Sequence, residues 1–213
     1  MSRLWRAGRF SRHFGQTALV EMPILRNGLS YKMRPVGYLL NTSDGLAGEP
    51  GLFYDYILAQ NGLFVRARNP LLGAAVQITQ AEVRGLLPLE EAVELTKGKI
   101  PRYLYDLALA TLAADPFHER YLAVAWEGEY HLRMPPQEGS GGGVRYDRLP
   151  NTVLDFHSHG LMRAFFSYTD DRDEQGFGLY LVVGRLDTLF PEVELRVGIY
   201  GYFSPLLIEQ VFA

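Results

Sequence analysis

Four residues stand out by type and spacing: His157 and His159, then Ser167 and Asp170, in the run His157-Ser158-His159-Gly160 and Ser167-Tyr168-Thr169-Asp170. On a β-strand, residues i and i+2 point to one face and lie about 6.5–7 Å apart. Zinc takes histidine nitrogens at about 2.0–2.1 Å, so two imidazoles projecting from such a pair can converge on one ion. A third ligand must come from another element, and Asp170 can supply it from the first turn of a helix that follows. Three protein ligands leave the fourth tetrahedral position open for water, which separates a catalytic zinc from a structural one. The same residues have plainer readings: two surface histidines, and a helix N-cap with an acidic residue three positions on. Ser167 can cap the helix on either reading. The chain has only five histidines, and the pattern HxHx₇SxxD fixes four positions at once in a strand–loop–helix context.

Cysteine is absent, which removes disulfides, thiol catalysis and sulfur-built zinc sites, so a metal must use His, Asp or Glu. That absence fits a reducing cytoplasm, and a cytoplasmic location is expected. With 213 residues, 47% hydrophobic and 21% charged, the chain reads as globular. No apolar run is long enough to span a bilayer, so no membrane association is expected. A net charge of −3 gives no general reason for nucleic-acid binding. Arg3, Arg6, Arg9 and Arg12 recur every third residue near the start. No apolar stretch follows them as a secretory signal requires, and residues 1–16 are expected to be a basic, flexible segment.

The elements that must position these residues divide the chain. Residues 17–91 read as short strands and turns, a small β-rich N-terminal domain. Its clearest piece is a hairpin, Leu52–Leu58 and Leu63–Arg68 around Gln60-Asn61-Gly62, because Asn and Gly tolerate positive φ. Asp44-Gly45 and Glu49-Pro50-Gly51 mark loops. A second unit, 92–213, is expected to begin near Ala92. Pro101 suits a helix start, Leu104, Leu107, Ala108, Thr111 and Leu112 keep helical spacing, and Asp115-Pro116 ends it. Tyr121–Trp126 is continuously apolar, as a strand covered on both faces should be. Val153–His159 reads as a strand, Ser167–Phe177 as a helix, Leu179–Val183 as a buried strand, and Val193–Tyr202 as a strand with one wet face. Interleaved strands and helices indicate an α/β or α+β domain with a central sheet covered by helices. The glycines at 139–143 match no phosphate-cradling pattern and read as a flexible hairpin loop.

The segment HSHG with Ser167-x-x-Asp170 resembles the JAMM motif of the JAB/MPN (Mov34/PAD-1) metalloprotease family, over about residues 92–213. The wider sequence is similar to the A-type proteins of bacterial PRTRC cassettes, with their ParB-related and ThiF-related components. The resemblance implies a mixed β-sheet flanked by helices, cytidine-deaminase-like, with one Zn²⁺ held by His157, His159 and Asp170. It also implies a catalytic Glu upstream, where the first helix gives way to the next strand. Glu119 occupies that place; Glu138 lies nearer the histidines but in the glycine-rich loop, and Glu127 and Glu129 flank a turn. By the same resemblance Glu119 is the general base and acid, and Ser167 stabilises the oxyanion. His118 invites an HExxH reading, but Leu122 stands where the second His is needed. His118 and His131 are therefore expected to face solvent or support a ligand. Asp155 shares strand parity with His157 and either supports a ligand or lies at the surface. Where many family members have Pro after the second His, this chain has Gly160, which bears on the loop and on substrate fit. The implied activity is hydrolysis of an amide or isopeptide bond at the tail of a ubiquitin-like β-grasp protein, beside a ThiF-related adenylating enzyme. The competing expectation is an MPN-type interaction scaffold, catalytically silent. A role on plasmid DNA is suggested only by the Arg-bearing start and ParB-related neighbours. A zinc deaminase of the usual form is excluded, since its second metal motif needs cysteines.

Overall fold

A computed structural model describes residues 34–140 and 143–213; the basic segment 1–16 and residues 17–33 lie outside the described residues. The described residues form a single compact unit built on two six-stranded sheets.

The first sheet holds β1 (Val36–Thr42), β2 (Gly45–Glu49), β3 (Tyr54–Ala59), β4 (Gly62–Arg68), β5 (Leu72–Gln80) and β6 (Ala92–Leu95), in the order β2-β1-β3-β4-β5-β6. Only β1 and β3 run parallel. The expected hairpin is β3–β4, with Ala59 opposite Gly62. Of its Asn-Gly pair only Gly62 takes positive φ, at 150°. A Cβ there would meet the Thr79 carbonyl, so the glycine also permits the close approach of β5. Ala92–Leu95, expected to open the second unit, instead pairs with β5 as the last strand of the first sheet. Its half-exposed alternation suits an edge strand.

The rest of the chain supplies α1 (Arg102–Ala113), β7 (Tyr121–Trp126), β8 (Tyr130–Arg133), β9 (Gln137–Ser140), β10 (Gly143–Tyr146), β11 (Thr152–Ser158), α2 (Tyr168–Asp173), β12 (Phe177–Gly184), β13 (Glu192–Ile199), β14 (Tyr202–Leu206) and α3 (Ile208–Val211). The second sheet runs β14-β13-β12-β11-β7-β8 and is mixed, with β11 and β12 parallel and the other pairs antiparallel. The glycine-rich stretch belongs to the separate ribbon β9–β10.

Two expectations are corrected here. The helix starting after Ser167 ends at Asp173, not Phe177, because Glu174 leaves helical geometry and Phe177 already pairs with Ile199. Val193–Tyr202 is not one strand but the end of a hairpin, β13 turning at Tyr200-Gly201 into β14. Both turn residues have positive φ, 49° and 93°, the geometry of a two-residue hairpin turn that a Tyr-Gly pair does not announce. Nor is β13 wet on one face, since Leu195–Ile199 are all buried.

The two faces of the second sheet do different work. Leu122, Val124, Leu154, Phe156, Leu179, Leu181 and Val197 join Leu104, Ala108 and Leu112 of α1 and Val65, Ala67, Ala74 and Val76 of the first sheet in one core. The spacing of Leu104, Ala108 and Leu112 puts them on one helix stripe, and burying each leucine stabilises the fold by about 1.5–3 kcal/mol. The opposite face carries Tyr121, Asp155, His157, Tyr180 and Arg196, and is covered by the β9–β10 ribbon and α2 rather than by long helices. Tyr146 of that ribbon stacks on Tyr121, with ring centroids 3.4 Å apart. The result is a mixed, strand-dominated α+β unit in which one sheet and one helix cover the core face. No helix among the described residues is long and apolar enough to cross a membrane.

Candidate metal centre

His157 is the penultimate residue of β11, and His159 follows just past its end, where its N–H donates to the Val183 carbonyl of β12 at 2.8 Å. Both imidazoles therefore sit at the C-terminal end of β11, an interior strand of the sheet, with ring centroids 5.1 Å apart. Asp170 sits in the first turn of α2. Its Oδ1 lies 3.5 Å from His157 Nε2, and its Oδ2 lies 3.7 Å from His159 Nε2. Those separations are too long for good hydrogen bonds. They approach the roughly 3.3 Å between two ligands that each sit about 2.05 Å from a tetrahedral ion. Ligand atoms of the three residues all fall within 4.8 Å of one another, so His157, His159 and Asp170 form a group able to hold a metal ion.

Two observations say that the donor set fits a cation. His157 Nε2, the nitrogen turned toward Asp170, is buried with no hydrogen-bond partner among the described residues, a cost that native proteins rarely leave uncompensated. The Asp170 carboxyl is held well below the usual carboxylate range. Burial alone would raise it, but interactions with His157, His159 and Ser167 outweigh that effect. An ionised carboxylate facing two imidazoles, without sulfur, is a donor set that suits zinc.

Ser167 does double duty. Its Oγ accepts from Asp170 N–H at 3.2 Å, while its own N–H donates to Asp170 Oδ2 at 2.6 Å, closing a capping box. The plain capping reading is borne out, and it is compatible with the metal reading, because the cap aims Asp170 at the histidines.

Glu119 lies between α1 and β7, half-buried. Burial raises its carboxyl above the ordinary range, and His159 and His157 oppose that shift, so the carboxyl sits within electrostatic reach of both imidazoles. Glu138, the alternative, is exposed on β9 opposite Arg145. His118 is exposed and 3.0 Å from Asp115, and His131 lies 3.5 Å from Glu129; neither joins the cluster.

Asp155 is buried, not at the surface. It accepts from the Tyr121 hydroxyl and from Arg148 at 2.8 Å, and burial pushes its carboxyl up against those two contacts. It therefore ties β11 to β7 and to the segment after β10, rather than touching His157. Two residues that sequence reasoning missed are Glu174 and Arg196. Glu174 Oε1 stands 3.8 Å from His157 Nδ1, and its other oxygen binds Arg196 at 2.6 Å. Burial pushes the Glu174 carboxyl up to about 7 despite that arginine. Arg196 also pairs with Asp171 at 2.6 Å and is sandwiched between Phe166 and Phe203 at 3.7 and 3.8 Å. This buried guanidinium clamps α2 onto the sheet, so the helix that carries Asp170 cannot drift from the strand that carries His157. The only sequence signal was that Glu174 follows Asp170 by four positions, one helical turn.

Gly160 has φ of 58°, and a Cβ there would lie 2.6 Å from the Pro116 carbonyl oxygen. Proline, fixed near −65°, cannot take this conformation. The loop after the histidines consequently packs directly on the segment leading to Glu119. Gly160→Ala is expected to lower the melting temperature by about 2–8 °C, from the roughly 1–2 kcal/mol that left-handed backbone costs an L-residue. An unchanged melting curve would show that this loop relaxes freely.

No protein-family model matches the chain, and no curated protein is significantly similar to it.

Proposed function

We propose that this chain is a zinc-dependent peptidase or isopeptidase of the JAMM type, on a JAB/MPN-like fold, cleaving an amide bond at the C-terminal tail of a ubiquitin-like β-grasp protein. The observation that carries this reading is the meeting of His157, His159 and Asp170 within one ligand sphere. The motif resemblance supplies the substrate class, a cytoplasmic setting and a ThiF-related adenylating partner.

A zinc ion, when bound, supplies a water acidic enough to give up its proton near pH 7 rather than near 15.7. With zinc held by His157, His159 and Asp170, Glu119 would take up at its carboxylate a proton from the attacking water, whose oxygen bonds to the carbonyl carbon, and would pass that proton to the amine that leaves as the C–N bond breaks. Ser167 would turn its hydroxyl hydrogen toward the oxygen that gains negative charge as the carbonyl is attacked. A single contact of that kind is commonly worth about 2.7–4 kcal/mol. Asp170, Glu174 and Arg196 keep the ligands in register, so little reorganisation is needed when charge develops.

A fusion of a β-grasp protein carrying a short peptide after its tail serves as the test substrate. Cleavage is expected with zinc-replete protein, loss of cleavage after chelation, and recovery on adding zinc back. Cleavage that persists unchanged through chelation and metal depletion contradicts the reading. Full zinc occupancy with no hydrolysis of any tail fusion favours the interaction scaffold instead.

A further inference from the structure

Ser158, the residue between the two histidines, is the last residue of β11 and is completely buried. Strand alternation turns it to the face opposite His157, so it is not aimed at the ligand cluster. A hydroxyl buried this deeply needs a partner, and it finds one in the neighbouring chain. Ser158 Oγ accepts from the Arg120 N–H at 3.0 Å, and the Ser158 N–H donates to the Arg120 carbonyl at 3.0 Å. His157 stands opposite Tyr121, so the Arg120–Ser158 pair carries the β7–β11 ladder one step past the start of β7. In that last step a side-chain oxygen takes the place of a strand carbonyl. An apolar residue at 158 could continue the core, but it would leave the Arg120 N–H without this acceptor.

The next residue along that register is Glu119, abreast of His159 and within electrostatic reach of both imidazoles. Its segment is held at two further points. The Asp115 carboxylate binds both neighbours of Glu119, the His118 ring at 3.0 Å and the Arg120 guanidinium. The Pro116 carbonyl packs against Gly160, where a Cβ would lie 2.6 Å away. Ion pairs as open to solvent as those of Asp115 hold weakly. The buried Ser158 is therefore the firm anchor beside Glu119, bonded to the very next residue by both its backbone and its side chain.

We propose that Ser158 is a positioning residue: through the backbone of Arg120 it fixes how far the Glu119 carboxylate stands from a metal ion held by His157, His159 and Asp170. Ser158 itself faces away from that ion and acts only through its neighbour. The proton-carrying role of Glu119 rests on the peptidase reading; its placement near the ion is measurable without turnover. Displacing a reacting group by about 1 Å can cost about 100-fold in rate, so a single hydroxyl at this anchor has a large effect.

The test compares Ser158→Ala, which removes the hydroxyl, with Ser158→Thr, which keeps it, each confirmed folded by its melting curve and assayed for zinc content. In the full chain labelled with carbon-13 glutamate, the Glu119 carboxyl resonance is identified by its absence from Glu119→Gln. Adding zinc is expected to shift that resonance in the unaltered chain and in Ser158→Thr, and by less than half as much in Ser158→Ala. On the tail fusion, kcat should fall about 10–100-fold in Ser158→Ala with KM within about twofold, and Ser158→Thr should recover most of the loss. In a Glu119→Gln background Ser158→Ala should cost little more, because residues that act as a unit are not additive. An equal zinc-induced shift in Ser158→Ala and the unaltered chain overturns the proposal, and so does no shift in either. A folded Ser158→Thr that behaves like Ser158→Ala overturns it too, as does a Ser158→Ala defect that appears as lost zinc. The expected shifts without any cleavage sink the peptidase reading alone, whereas cleavage with the shift unaltered in Ser158→Ala sinks the role of Ser158 alone.

Discussion

Replacing Glu119 by Gln is expected to lower tail cleavage by about 10²–10⁴-fold while zinc stoichiometry stays as in the unaltered protein. Gln keeps the size of the side chain and its ability to accept a hydrogen bond, but it cannot take up and release a proton at neutral pH. Glu119 belongs to the segment between α1 and β7, apart from the strand and helix that carry the ligands, so its loss should leave the donor cluster intact. Parallel measurement of turnover and bound metal separates the alternatives. If Glu119→Gln cleaves at the unaltered rate, Glu119 is not the proton carrier, and the exposed Glu138 becomes the next residue to replace. If metal and activity fall together, Glu119 acts on metal retention instead.

The second large effect is expected at Asp170. Asp170→Asn keeps an oxygen to accept the Ser167 N–H, so the capping box that starts α2 survives. What disappears is the charge facing two imidazoles. Zinc affinity should fall by more than the roughly 10–100-fold typical of removing a residue that merely supports a ligand, and activity should fall with it. Asp170→Ala also removes the acceptor for the Ser167 N–H, one half of the capping box, at a further cost of about 1 kcal/mol in stability, while Ser167 Oγ still accepts from the backbone N–H at 170. Competition with a chromogenic chelator measures the affinity, and thermal melting measures the cap. Equal zinc affinity in Asp170→Asn and the unaltered chain would falsify the assignment of Asp170 as a ligand.

Much of the centre was legible because its signals are local. HxH on a strand fixes a common face within three residues, and Ser-x-x-Asp fixes a cap within four, so neither depends on the rest of the fold. Asp155 was placed on the right face but left between two roles, since only tertiary contact reveals that Arg148 and Tyr121 claim its carboxylate. Glu174 and Arg196 were invisible for a similar reason. They are 22 positions apart, and their pairing depends on β13 lying beside β12, which no periodicity encodes. In the first sheet the Asn-Gly hairpin is readable, whereas the pairing of Ala92–Leu95 with β5 is not, because a four-residue edge strand carries almost no pattern of its own. The shortened α2 and the Tyr200-Gly201 turn show the same limit. Each goes with an interaction between distant residues: Arg196 pairing with Glu174 at the helix end, and β14 folding back on β13.

The most direct measurement is the metal content of the full chain, purified without chelators from zinc-replete cells and read by mass spectrometry beside His157→Ala. About one zinc per chain is expected for the unaltered sequence and close to none for the variant. An unaltered chain that binds no zinc, or a His157→Ala chain that keeps its full complement, would contradict the metal centre on which the proposed function rests.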